Sequence, residues 1–182
     1  MADESSNNSK ELKQNFLMGG ISDIATYIQL ADTKVSIIMG STVALIVGIL
    51  ACYQLIGEWV AKIKPCTWLG VTFSVVFLLC IISVVAVFLF GILTIRGHSS
   101  NINYESKWFL SKNTKIYSFD AYLRDVHNMS DEDVIDNMAA ELYKLNDINR
   151  QKFKPMKWTI YSFSASLALT ALMGLLVLIN AM

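Results

Sequence analysis

"YIQLADTKVSIIMGSTVALIVG" (27–48) decides the fold. Its first part carries Asp32 and Lys34, and after Lys34 no charge appears until Glu58. Val35–Gly57 is therefore an uncharged run of 23 residues. As a helix it is about 35 Å long, against a bilayer hydrocarbon core of about 30 Å. Two further runs repeat the pattern, Pro65–Ile95 with 31 residues and Trp158–Met182 with 25. Their helical lengths are about 46 and 37 Å.

Composition agrees with three spans. The 182 residues are 54% hydrophobic and 16% charged, where an ordinary globular chain carries about 25% charge. Three core helices in water would need more polar chain around them. The net charge is zero, which gives no basic signal for nucleic acid. The N-terminal "MADESSNNSKELKQN" lacks a basic n-region and a short apolar run, so it does not read as a cleaved leader. Cys52, Cys66 and Cys80 are odd in number and fit no metal spacing; they read as small buried apolar residues.

Three spans place the N-terminal segment and residues 96–157 on one side, with 58–64 and the C-terminus on the other. The first side holds 13 Lys and Arg, the second only Lys62 and Lys64. The positive-inside rule then puts both longer segments in the cytoplasm. Trp59, Trp68 and Trp158 lie near span ends, as in an aromatic belt. The expected fold is an all-α membrane protein: three transmembrane helices with a small cytoplasmic helical segment between the second and third.

The expected divisions are a polar tail 1–20, an interfacial helix leading into the first span 21–57, a second span 65–95, a cytoplasmic segment 96–157 and a third span 158–182. Gly19-Gly20 reads as a hinge, with a helix starting near Ser22. "IYSF" (116–119) reads as a possible short strand, and 121–129 as a turn or short helix. Ser130 and Asp133 form a capping box for an amphipathic helix over 131–154, with apolar residues at Val134, Ile135, Met138, Leu142, Leu145 and Ile148. Pro155 is expected to disrupt or end that helix.

Small residues recur every four positions in the first span, at Ser36, Gly40, Ala44 and Gly48, and in the third at Ser162, Ser166, Thr170 and Gly174. Such series let helices approach closely. The bulky second span reads as an outer, lipid-facing helix.

No phosphate-loop, dinucleotide, nucleophile-elbow or zinc-protease motif occurs, and no enzyme is indicated. His98 and His127 read as exposed loop residues, and the Asp131, Glu132, Asp133, Asp136 cluster as helix-start chemistry; no metal or cofactor is expected. The charge-free spans count against a transporter. Asp32 and Lys34 read as interfacial placement, or as a polar joint to Arg96 or to the basic run 150–157. For a small anionic ligand with a base, the candidates are Lys112, Lys115 and Arg124 with the rings of Tyr117 and Phe119; a basic surface over a small aromatic core is the plainer reading.

"ADTKVSIIMGSTVALIVG" (31–48) resembles the "ADxKA" and following small and apolar residues of Pycsar transmembrane effectors. "KIYSFDAYLRDVHNMSDEDVIDNMAAELYKLNDINRQKFKPMKW" (115–158) is similar to their later segment, with an "(I/L)-(Y/F)-x-F" element, a Ser-capped acidic helix and an "L-x-x-I-x-x-x-K" run. Val35 stands where that family commonly has alanine. The resemblance implies an antiphage effector of the bacterial inner membrane, multi-pass, with a cytoplasmic N-terminus. It implies sensing of cyclic CMP or cyclic UMP from a partner pyrimidine cyclase, membrane damage, abortive infection and, on physical grounds, a homo-oligomer. The competing reading is a constitutive, holin-like or structural membrane protein without a ligand.

Overall fold

The computed structural model describes residues 2–51, 57–58, 60–61, 67–97, 99–100 and 118–181, with side chains from residue 8 to residue 180. Within them lie four helices: α1 (Ala2–Ala51), α2 (Trp68–Ile95), α3 (Phe119–His127) and α4 (Asp131–Ala181). No strand occurs among the described residues. Three helices, α1, α2 and α4, contain stretches long and apolar enough to cross a membrane.

Local chemistry explains the helix starts. Thr67 caps α2, its Oγ1 accepting the Gly70 N–H at 3.3 Å. The Val-, Ile- and Phe-rich α2 sequence would favour strands in water. In lipid every backbone group must pair internally, so a lone span of this composition is helical. Ser118 caps α3 by accepting from the Ala121 N–H, so Ser118 and Phe119 open a helix and not the strand read in "IYSF". Ile116 and Tyr117 lie outside the described residues. The capping box before α4 is present: the Ser130 N–H donates to Asp133 Oδ2 at 2.9 Å, and the Asp133 N–H donates to Ser130 Oγ at 3.2 Å.

Two expected interruptions do not occur. Helix α1 begins at Ala2 and continues through Gly19-Gly20. Gly20 serves close approach there, because a Cβ would lie 3.1 Å from Leu142 Cδ2. Helix α4 likewise continues through Pro155 into the last span. A proline removes one N–H, but packed neighbours on both sides can hold such a helix together. Lys152 and Thr159, three residues before and four after Pro155, are both buried.

The chain divides into two compact units. One comprises Met1–Gln29 with His98–Gln151, the other Leu30–Gly97 with Lys152–Met182. In the first, α1 and α4 run parallel, since Lys10 meets Asp131 and Gly20 faces Leu142. Leu17, Ile21, Ile24 and Ile28 of α1 turn partly inward, as do Leu145 and Ile148 of α4 beside buried Met138. This three-four alternation is the seam of a coiled-coil pair.

In the second unit α2 lies antiparallel to α4. Ser83 Oγ donates to the Ser162 carbonyl at 2.7 Å, Cys80 Sγ lies 3.6 Å from Thr170 Oγ1, and Phe90 stacks on Trp158 at 6.1 Å. Gly91 packs on Met39 and Val35 of α1. The second span is thus no outer helix. Its stripe Val76, Cys80, Ser83, Val87, Gly91 and Thr94 is buried among its neighbours, while its bulky residues such as Phe77 and Leu89 face outward. Small residues inside and large ones outside is the packing expected where lipid, not water, surrounds the helices.

Candidate functional site

The most constrained polar contact in the second unit joins α1 to α4. Lys152 Nζ lies 2.7 Å from both Oδ1 and Oδ2 of Asp32. The lysine side chain is 7% exposed and the aspartate 35%, so the cation is enclosed and the carboxylate keeps one edge open. Helical spacing places both. Asp32 follows buried Ala31, and Lys152 belongs to the seven-residue series Met138, Leu145, Lys152, Thr159 and Ser166 that turns one face of α4 inward.

The pair lies where charge gives way to apolar chain: beyond Lys34, two residues after Asp32, α1 has only uncharged residues up to its end at Ala51. The cations around this foot of the spans are exposed: Lys34, Arg96 at the C-cap of α2, Lys154 and Lys157. Lys157 Nζ also sits 5.6 Å from the centre of the Tyr161 ring. Hydroxyls fill the seam above. Thr42, Thr94 and Thr159 are buried, and each donates to the carbonyl four residues earlier on its own helix.

Of the joints read from sequence, Asp32 to the 150–157 run is the one present, through Lys152; Lys34 stays exposed. The proposed ligand residues are not brought together among the described residues. Arg124 is exposed on α3, and Phe119 is 73% exposed at its start. Lys112, Lys115 and Tyr117 lie outside the described residues, as do His98, Trp59, Cys52 and Cys66. Ser36, Gly40, Ala44 and Gly48 point away from the rest of the chain, and a Cβ on Gly40 or Gly48 would meet nothing within 4 Å. The packed face of α1 is instead Ala31, Val35, Ile38 and Thr42. In α4, Ser162, Ser166 and Thr170 do line a seam, whereas Gly174 meets nothing.

Glu141, in the first unit, was passed over by sequence reading. It is buried on α4, and no hydrogen bond or ion pair joins it to any described residue. Its spacing from Met138 and Leu145 was the available signal. Among the described residues, no group of three or more His, Cys, Asp or Glu could hold a metal ion.

Three long apolar helices, an inward-facing hydroxyl seam and an ion pair at its foot define a multi-span helical membrane protein. A family model described as the Pycsar effector protein domain matches residues 16–179. The chain belongs to that family, whose members act as antiphage effectors and not as the cyclase, with which they are functionally linked. No curated protein and no solved structure matches the chain.

Proposed function

We propose that this effector senses a cyclic pyrimidine mononucleotide, cyclic CMP or cyclic UMP, and responds by impairing the bacterial inner membrane, so that the infected cell dies before the phage completes its cycle. The observation that carries this reading is the family match over residues 16–179 in a chain with three membrane-crossing helices. The N-terminal segment and residues 96–157 face the cytoplasm, where such a nucleotide is made, as the 13-to-2 distribution of Lys and Arg argues. Lys112, Lys115 and Arg124 with Tyr117 and Phe119 are the first positions to substitute in mapping base and phosphate contacts.

Three helices cannot themselves surround a sizeable pore, so several copies act together. The outward stripe Ser36, Gly40, Ala44 and Gly48 suits close approach between copies. The test is calorimetric titration of the detergent-purified oligomer with cyclic CMP, cyclic UMP, cyclic AMP and cyclic GMP. Selective binding of one pyrimidine nucleotide is expected. Failure of the folded protein to bind any of the four sinks direct sensing and favours a constitutive, holin-like protein.

A further inference from the structure

We propose that Lys152 is the receptor for a phosphodiester anion at the foot of the spans, and that Asp32 is a built-in carboxylate occupying its place until the anion arrives. Lys152 is enclosed and chelated by both Asp32 oxygens at 2.7 Å, while Asp32 keeps an edge open through which it can be displaced. A buried ion pair is no efficient way merely to tie two helices, because well-packed apolar residues of similar volume do so as well or better. The next inward positions of α4 in the same unit, Thr159 and Ser166, are uncharged, and a Met or Leu at 152 would pack without a charge to desolvate.

The surroundings favour an anion. The unit of residues 30–97 and 152–182 carries two acids, Asp32 and Glu58, and Glu58 follows the far end of the first span. Within five residues of Lys152 α4 carries Asp147, Arg150, Lys154 and Lys157, and Asp32, Lys34 and Arg96 stand at the same end of α1 and α2. Two carboxylates among six cations leave a positive surplus that attracts a diffusible or membrane-borne anion. A phosphodiester presents one negative charge shared over two non-bridging oxygens, as the Asp32 carboxylate shares its charge over Oδ1 and Oδ2. Its displacement of Asp32 releases α1 from α4, and a ligand moves a conformational equilibrium only through such a difference in contacts.

Two sources present this group: a cyclic nucleotide and the headgroup of an anionic phospholipid. The nucleotide arm rests on the sensing reading above; the lipid arm does not. The experiment uses the full chain, as wild type, D32N, K152M and K152R. Each is titrated with cyclic CMP and cyclic UMP in detergent, and its thermal unfolding is compared in nanodiscs of phosphatidylcholine with and without phosphatidylglycerol.

D32N removes the competitor and is expected to bind the anion about tenfold more tightly, while K152M loses about tenfold or more and K152R stays near wild type. Equal affinity in D32N and wild type marks a purely structural ion pair and overturns the proposal. Nucleotide binding unaltered by both D32N and K152M overturns it too, with sensing left intact elsewhere. A response to phosphatidylglycerol alone, lost in K152M, upholds the site with lipid as its occupant and removes nucleotide sensing from it. No response of wild type to either anion overturns the proposal. Should K152M fail to fold, D32N decides alone, because its expected change is a gain.

Discussion

Lys152 puts an ammonium group where the neighbouring turns of α4 present Leu145 and Thr159, and its burial is tolerable only because Asp32 chelates it. Removing one member of a buried pair leaves the other uncompensated, which costs about 3–5 kcal/mol when both are enclosed. Asp32 keeps an open edge, so water softens the loss, and D32N without added anion should cost about 2 kcal/mol. The double variant D32N/K152M should recover most of that loss, read as the unfolding midpoint in detergent. Glu141 presents the opposite case, a buried carboxylate joined to no described residue. Replacing it with Met should raise the unfolding midpoint, by the equivalent of about 1–3 kcal/mol. A lower midpoint would show that the Glu141 carboxylate makes a stabilising contact in the folded protein. At this scale the sequence was half legible. The change from charge to apolar chain singles out Asp32, but its choice among Arg96 and the 150–157 cations depends on which face of α4 turns inward.

Helix identity was legible where the chemistry is local. The box of Ser130 and Asp133, the cap at Ser118 and the three uncharged runs each follow from a few adjacent residues. Continuity was not. Gly19-Gly20 and Pro155 are breakers by propensity, and packing overrides both: Gly20 because Leu142 comes close, Pro155 because the same face of α4 is enclosed on either side. Pro155→Ala should therefore stabilise α4 and leave helical content unchanged by circular dichroism; a gain in helix would mean that the proline interrupts it. Gly91 should tolerate little. A Cβ there would stand 2.6 Å from Met39 Sδ, so Gly91→Ile should lower the unfolding midpoint by several degrees. Gly40→Ile, with open space at its Cβ, should fold as wild type and show weaker cross-linking between copies. The inward stripe of α2 was missed because its bulky majority dominates the composition, although Cys80, Ser83, Gly91 and Thr94 recur at helical spacing.

For the whole molecule, the outward surface is that of a membrane protein. Phe77, Leu89, Val47 and Ile179 project from the spans, and their bulk is lipid-sized where the inner seam is small and hydroxylated. Carbonate or high-salt washing of membranes should leave the chain in the pellet, and only detergent should release it. Membrane class and family were both readable early, because each depends on long runs or ordered motifs. The candidate ligand residues depend on tertiary placement rather than on runs or ordered motifs, and three of the five, Lys112, Lys115 and Tyr117, lie outside the described residues.

The parallel partnership of α1 and α4 has a consequence for synthesis. Asp32 and Lys152 are separated by 120 residues, and Lys10 and Asp131 by 121. At about 5–20 residues per second, a ribosome delivers the second member of each pair roughly 6–24 seconds after the first. For that interval Asp32 is without Lys152, and the cations already made for the same end of the spans are Lys34 and Arg96. A chain stalled before residue 152 would carry an acid at the bilayer surface without its cation. Birth order thus makes the last helix the one that completes the foot of the first.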